Sequence, residues 1–476
     1  MNLFTASSTT LRSTVTRALL GLEPLDQRDV PAVLSAGSVL ERPEGNDVAI
    51  VYTETNNPQE GRNAVLAFRR DGRTGDLTRI GSFATGGTGQ LNIPKLVGPD
   101  DGDQQVQATA DGKFLYAVNQ GSDNVSAFRI QRNGSLQLIG TFSSGGDQPD
   151  SIGIAGNILY IGNRGDAAAG VNGTTTPSVT AFTIDRDGGL DRIANSTITF
   201  PVGTLVTQTL VSRDARFLFV EVASFQGTAG GNTVNTFRIN GDGTLTAAPG
   251  GPASAGTKAP VLLGAVSHPS LNIVYTGFAS SGQVGVFTYD ETGRTNYVNT
   301  ASDSGAAPCW CQISKDGRVP YVSNTVTDSV SVFSLSDPLH PVQIQELKLG
   351  GPRGTPGGAQ TFVFEIALDP TGKFLFAVSQ STDPSFPQGN QLHTLRLARD
   401  GTLSEPLAPI IFSQKDVPAN AHPQGLAIVQ INGRRSFGGD RIYVGSDQFG
   451  DNGSESDQLR DALNLFRHYR RHGSRG

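Results

Sequence analysis

A strand–turn–strand unit recurs along most of this chain and limits what it can fold into. The clearest copy, Pro308–Leu335, has three short segments rich in β-branched residues, separated by Lys315-Asp316-Gly317 and Thr327-Asp328. Equivalent turn positions are separated by 44, 59, 55, 47 and 55 residues: Gly112, Gly156, Ala215, Ser270, Gly317 and Gly372. Repeats of roughly 40–50 residues with four short strands are typical of propeller blades. The sequence therefore predicts an all-β propeller.

The ends of the repeat array predict the number of blades. Six units are complete, whereas the first has three strands, Asn46–Glu54, Asn63–Arg70 and Asp76–Phe83, and lacks an innermost one. Gln424–Gln430 would supply that strand, closing a seven-bladed ring of four-stranded blades and covering an open sheet edge. Arg441–Ser446 is then one strand too many, and either adds at an edge or displaces Asn46–Glu54.

The ends of the chain differ from the repeats, which predicts a leader over residues 1–45, a propeller over 46–446 and a tail over 447–476. In the tail, apolar residues recur at helical spacing, which predicts an amphipathic helix: Leu459, Ala462, Leu463, Phe466 and Tyr469. In the leader, Leu22–Ala32 resembles an LExLExRxxPA-type motif found near the start of surface or secreted proteins of some environmental bacteria. That resemblance implies export to the cell surface or the medium. A disordered leader on a cytoplasmic protein is the alternative.

Composition argues against several classes of protein. The net charge of -6 gives no broad basic face, so we do not expect nucleic-acid binding. No apolar run approaches the roughly 18 residues that a transmembrane helix needs. The two cysteines, Cys309 and Cys311, would lie roughly 6.6 Å apart in a strand, at the edge of disulfide geometry. We predict a reduced pair, with a strained bridge as the alternative.

The best repeat copy also carries a recognisable signature. Ala307-Pro308-Cys309-Trp310, Lys315-Asp316-Gly317-Arg318 and Tyr321-Val322-Ser323-Asn324 together resemble the AxPCWxxxxxDGRxxYxSN pattern of lactonase-family seven-bladed propellers. That family includes 6-phosphogluconolactonase-like and carboxymuconate-cyclase-like proteins. Tyr321–Asn324 with Ser329–Val332 also resembles the YVTN repeat of surface-protein propellers.

The resemblance implies a catalytic set of His, Glu and Arg on innermost strands facing one mouth of the channel. At the matching positions this sequence has other residues: Asp103-Gln104, Val206-Thr207-Gln208, Trp310 and Val363-Phe364. Without the Arg and His, an anion anchor and the obvious general base are missing. We therefore predict a ligand-binding or interaction module. A true lactonase hydrolysing a sugar-type lactone and a structural surface propeller remain as alternatives.

Candidate site residues follow from the predicted innermost strands and the loops beside them. For catalysis the candidates are Glu365 and His422, which would activate water; the alternatives are a structural glutamate and a loop-capping histidine. For a carbohydrate or sugar-acid ligand in the channel mouth they are Gln104, Gln208, Trp310, Gln424 and Arg164. Trp310 is alternatively a core residue and Arg164 a surface-loop residue, and His268 is expected at the surface.

Cofactors and metals are not expected. Asp100-Asp101-Gly102-Asp103 and Asp447–Asp457 hold oxygen ligands but match no EF-hand loop, and are predicted to be solvated turns. A partner at the cell surface is expected if the chain is exported.

Overall fold

The computed structural model describes residues 47–90, 102–168, 171–256, 261–350, 361–381, 383–432 and 443–445. The predicted leader and tail helix, and the glycine-rich loop near residue 355, lie outside these residues. Within the compact unit that begins at Asn46, the described strands form seven antiparallel sheets. Each sheet is one blade, and the all-β, seven-bladed prediction is confirmed.

The blades are numbered here from the one that contains the first strand. The strands of each blade are given from the innermost outward, in the order of their hydrogen bonding. Blade 2 comprises Val106–Ala108, Phe114–Asn119, Asn124–Ile130 and Leu136–Ser143. Blade 3 comprises Pro149–Ala155, Ile158–Asn163, Ser178–Ile184 and Leu190–Arg192, with Ile198–Thr199 beside Ser178–Ile184. Blade 4 comprises Leu205–Val211, Phe217–Ala223, Thr233–Ile239 and Leu245–Ala247. Blade 5 comprises Leu262–Ser267, Ile273–Phe278, Gln283–Tyr289 and Thr295–Ser302.

The remaining blades follow the same order. Blade 6 comprises Pro308–Ile313, Pro320–Asn324, Ser329–Ser334 and Val342–Lys348. Blade 7 comprises Thr361–Leu368, Phe374–Ser381, Gln391–Leu397 and Leu403–Ser404, with Ile410–Ile411 beside Gln391–Leu397. Blade 1 comprises Gln424–Asn432, Asp47–Glu54, Ala64–Arg70 and Leu77–Ala84. Two single-turn 3-10 helices, Gln120–Ser122 and Pro387–Gly389, complete the described elements. Among the described residues no helix is long and apolar enough to span a membrane.

The ring is closed by strands from opposite ends of the chain. Gln424–Asn432 pairs antiparallel with Asp47–Glu54, with Ile50 opposite Val429. This pairing covers the edge that the first strand would otherwise expose. The backbone of Tyr443–Gly445 pairs with Gln424–Asn432 on its other side, so the additional strand adds at an edge and does not displace the first strand.

Adjacent blades are joined by a repeated hydrogen bond in addition to apolar packing. A buried tyrosine on the second strand of one blade donates to a backbone carbonyl in the outer turn of the next blade. The five pairs and their distances are Tyr52 to Gly134 (2.9 Å), Tyr116 to Gly188 (3.1 Å), Tyr160 to Gly243 (3.0 Å), Tyr275 to Pro338 (2.8 Å) and Tyr321 to Gly401 (3.0 Å). A buried hydroxyl needs such a partner, so the repeat fixes the spacing between blades.

Three side chains, one histidine and two cysteines, test sequence-based expectations. His268 is 4% exposed rather than at the surface: its Nδ1 accepts from the backbone N–H groups of Ser270 and Leu271, and its Nε2 lies 3.0 Å from the carbonyl of Gly317 in the next blade. It caps a turn and seals a blade junction. Cys309 and Cys311 are both buried free thiols, in agreement with a reduced pair.

Candidate functional site at the channel mouth

The innermost strands share an irregularity near their first residues. The strand pairing shifts register in blades 3, 4, 5, 6 and 7, at Pro149/Ser151, Val206/Gln208, Leu263/Ala265, Pro308/Cys311 and Val363/Ile366. Such bulges redirect side chains and are frequent beside binding sites. They place seven residues out of the regular strand alternation: Asp150, Thr207, Gly264, Cys309, Trp310, Phe364 and Glu365.

In blade 2 the corresponding residue is Gln104, which has a left-handed backbone conformation with φ of 71°. Blades 1 and 5 have glycine in this conformation, Gly425 and Gly264, with φ of 66° and 65°. A side chain in this region costs about 1 kcal/mol or more, and such strain persists where surrounding contacts hold it. Gln104 is held in this conformation by the hydrogen bonds of the segment Gly102–Gln105, to which it belongs.

That segment, Gly102–Gln105, is called the crossing segment here because it bonds to blades on both sides of the ring. On one side, the backbone N–H of Ile152 in blade 3 donates to the carbonyl of Gln104 (3.0 Å), and the N–H of Asp103 donates to the carbonyl of Thr207 in blade 4 (2.9 Å). On the other side, Trp310 Nε1 of blade 6 donates to the carbonyl of Gly102 (2.7 Å). Blades 3 and 4 are separated from blade 6 by the channel, so the segment crosses the mouth.

Two of the predicted ligand-binding residues anchor this segment. Trp310 is 1% exposed and packs against Phe364 with ring centroids 4.9 Å apart. Gln208 donates from Nε2 to Asp103 Oδ2 and to the carbonyl of Ala265, both at 3.0 Å, and its Oε1 accepts from the N–H of Ala265 (2.5 Å). In this structure both side chains therefore bind the crossing segment.

Glu365 lies against the same segment and is 3% exposed. Burial is the main cause that raises the pKa of Glu365 well above its usual range, and the neighbouring charges of Asp103 and Asp150 raise it further. Its carboxyl is also within hydrogen-bonding contact of Asp103. Burial and these charges favour the protonated form of Glu365, whereas a hydrogen bond with the Gln105 side chain favours the ionised form. A protonated carboxyl cannot accept a proton from water.

Two further buried glutamates lie beside the innermost strands. Burial raises the pKa of Glu221 in blade 4 to about 7, although Thr276 Oγ1 donates to its Oε1 at 2.5 Å. Burial likewise raises the pKa of Glu54 in blade 1 to about 8. Asn63 Nδ2 donates to Glu54, and Gln424 Nε2 donates to it at 3.3 Å. Gln424 therefore supports a buried carboxyl in blade 1.

Arg164 is neither a rim residue nor a surface-loop residue, because it is 1% exposed. Its guanidinium donates to the carbonyls of Gly165 (3.3 Å) and Ala167 (3.1 Å) and to Gln148 Oε1 (3.3 Å), and its Nε is 3.8 Å from Asp150 Oδ2. The guanidinium of Arg164 is therefore already hydrogen-bonded to protein groups. It is therefore a poor anchor for an additional anion.

The structure thus brings Gln104, Gln208, Trp310 and Glu365 together around the crossing segment. Gln424 belongs to the neighbouring cluster of Glu54, and Arg164 to that of Asp150. His422, 5% exposed, precedes the closing strand by two residues. No three His, Cys, Asp or Glu side chains among the described residues form a metal-binding group.

Sequence reasoning did not select Asp103, Asp150 or Glu221 as site residues. The sequence predicts a solvated turn at Asp103, but the residue is 5% exposed. Its position beside Gln104 at a matching family position was the available signal. Asp150 and Glu221 gave none, because their burial depends on strand register and on contacts between blades.

Comparisons with known proteins agree with this architecture. The sequence model of the family "Lactonase, 7-bladed beta-propeller" matches residues 58–171 and 253–385, slightly more than half of the chain. No curated protein sequence matches the chain.

Among solved structures, the periplasmic gluconolactonase PpgL of Pseudomonas aeruginosa is 17% identical, with a TM-score of 0.59, covering 80% of this chain and 99% of that one. A Lactobacillus plantarum protein is 18% identical, with a TM-score of 0.58 and the same coverage. A Bacteroides fragilis protein whose description gives 6-phosphogluconolactonase as its candidate activity is 18% identical, with a TM-score of 0.57, covering 80% and 98%. At these identities the similarity shows the fold. From the family match and the seven blades, this chain belongs to the lactonase family of seven-bladed β-propellers.

Proposed function

We propose that this chain is a non-hydrolytic member of its family that acts as a ligand-binding or interaction module. The observation that carries the proposal is the crossing segment. Gly102–Gln105 bonds to blades 3, 4 and 6, and so occupies the mouth with the chain's own backbone. A lactone would have to displace four residues and the side chains that hold them.

The chemistry of the mouth supports the same proposal. Lactone hydrolysis needs a group that activates water and a group that stabilises developing negative charge. Glu365, the best-placed carboxyl, favours its protonated form. Arg164 is occupied by three protein acceptors and lies near Asp150.

We expect the purified full-length chain to hydrolyse a panel of aldonolactones, including gluconolactone, no faster than buffer alone. The reason is that, of the described residues proposed for the mouth, Glu365 favours its protonated form and Arg164 is held by other protein groups. Release of acid is followed at constant pH, with a hydrolytic lactonase as positive control.

A rate proportional to protein concentration would contradict the proposal and favour the lactonase alternative. In that case Glu365→Gln and His422→Ala test the predicted residues. Activity that neither substitution lowers would assign the reaction to a different part of the chain.

We also propose that the chain is exported and meets its ligand or partner outside the cytoplasm. The support is the resemblance of Leu22–Ala32 to a leader motif of surface and secreted proteins. We expect the native protein in the envelope or medium when the source cells are fractionated and probed with an antibody. Recovery wholly in the cytoplasmic fraction would refute export.

A further inference from the structure

A fully buried carboxyl lies at one end of the strand pair that closes the ring. Glu54 is the last residue of Asp47–Glu54, is 0% exposed, and pairs with Gln424, the first residue of the closing strand. The pairing shifts register between Thr53 and Glu54, so the ladder is irregular at this end. A change in the charge of Glu54 therefore acts on the beginning of the closing strand.

The hydrogen-bond partners that the described residues supply to the Glu54 carboxyl are amides. Asn63 Nδ2 donates to its Oε1, and Gln424 Nε2 donates to its Oε2 at 3.3 Å. The Asn63 amide also donates to Oδ1 of Asn119 in blade 2 (2.9 Å), so it is shared between two acceptors. Ionised Glu54 is costly in this position, because two amide hydrogen bonds replace only part of the hydration of a carboxylate.

Among the described residues, the elements packed around Glu54 supply no charged side chain that offsets its burial. The causes that move its pKa are burial and the amides of Asn63 and Gln424. Of the ionisable residues next to these two in sequence, Arg62 is exposed and His422 is 5% exposed, and neither is among those causes. Burial exceeds the effect of the amides and raises the pKa of Glu54 to about 8.

The Gln424 amide can bond to either protonation state of Glu54. In the present orientation Nε2 faces the carboxyl, and Oε1 is buried without a hydrogen-bond donor. A half-turn of the amide presents Oε1 instead, which accepts from a protonated carboxyl, whereas Nε2 donates to an ionised one. One hydrogen bond is thus available in both states, with its direction reversed.

We propose that Glu54 and Gln424 form a proton-dependent latch, in which neutral Glu54 holds the beginning of the closing strand and its ionisation at alkaline pH loosens the ring there. Each ionisation releases one proton to solvent and leaves a buried carboxylate that the two amides only partly stabilise. The latch is independent of whether the channel mouth binds a ligand.

The direction of the pH effect follows from the closed and opened states of this strand pair. Below pH 4.5, the ordinary value for a glutamate, Glu54 is protonated in both states. Between pH 4.5 and about 8, the opened state loses the proton while the closed state keeps it, so closure weakens as the pH rises. Above about pH 8 both states are ionised, and the loss of stability levels off.

The test is hydrogen–deuterium exchange of the full-length protein across this pH range, corrected for the intrinsic exchange rate. Peptides from Asp47–Glu54 and Gln424–Asn432 report the opening of the closing pair. We expect their opening constant to rise by up to about tenfold per pH unit between about pH 5 and 8, the slope for one proton, and then to level off. An opening constant that stays flat across this range overturns the latch, without any substitution.

Matched substitutions assign the effect to Glu54. Glu54→Gln copies the shape of the neutral carboxyl and cannot ionise. Its opening constant should lie within about threefold of wild type near pH 5, be at least about tenfold lower near pH 8, and show no slope between. Glu60→Gln removes the same charge from an exposed position between the first two strands, and should keep the wild-type slope. A wild-type slope in Glu54→Gln, or its loss in Glu60→Gln, would overturn the assignment to Glu54.

Discussion

A chain that ends at Pro423 is expected to lose cooperative folding, because it lacks the strand that closes the ring. Gln424–Asn432 pairs with Asp47–Glu54 along its whole length and buries Leu426, Ile428 and Val429. Each of these side chains contributes about 1.5–3 kcal/mol, and the backbone ladder is lost with them. The sum approaches the roughly 5–15 kcal/mol that stabilises a typical domain. Urea denaturation followed by circular dichroism measures the loss.

A chain that ends at Asn432 is the matched control. It keeps the closing strand and lacks Tyr443–Gly445, which adds only at an edge. We expect it to unfold cooperatively, close to the full-length midpoint. Equal midpoints for the two truncated chains would contradict the assigned closure.

Replacing Arg70 with Met is expected to destabilise the propeller by about 3–5 kcal/mol. Arg70 in blade 1 forms a salt bridge of 3.0 Å with Asp369 in blade 7, and both side chains are 0% exposed. Its guanidinium also lies 5.4 Å from the centre of the Phe374 ring. Removing the cation takes this ion pair away from a buried carboxylate at the junction where the ring closes. The free energy of unfolding in urea measures the effect.

Arg79→Met is the matched control, because Arg79 also joins blade 1 to a residue that follows blade 7. Its guanidinium binds Asp416 through two contacts of 2.7 Å, but the side chain is 44% exposed. Solvent screening limits such a pair to about 1 kcal/mol or less. In a double-mutant cycle, Arg70→Met with Asp369→Leu should cost less than the sum of the two single substitutions. Equal costs for Arg70→Met and Arg79→Met would argue against the buried pair.

The blades were predictable because their signals are local. The strands expected at Asn46–Glu54, Asn63–Arg70 and Asp76–Phe83 begin and end within one residue of those observed. The closing strand was predictable for a related reason. The first repeat unit lacks an innermost strand, and Gln424–Gln430 is a strand that belongs to no other unit. Alternation of side chains and turn residues carries this information within a few positions.

The candidate site was predictable only in part. Trp310, Gln208 and Gln104 occupy matching family positions on or beside innermost strands, and Glu365 lies next to such a position. All four lie around the crossing segment. What they contact there was not predictable, since Trp310 bonds to Gly102, 208 positions away along the chain. Arg164 and His268 are expected near solvent from the sequence and are buried in the structure. Arg164 is held by groups of its own blade, and His268 lies against Gly317 of the next blade.

By itself, the sequence determined the strand order, the number of blades and the way the ring closes, because turn residues and side-chain alternation act over short separations. Tertiary structure alone decided that Gly102–Gln105 crosses the mouth and that Asp103 meets Glu365. Those contacts depend on how the innermost strands of distant blades face one channel. Bulges set the register of these strands. A shift of one residue would move the side chains of a strand from one face of the sheet to the other.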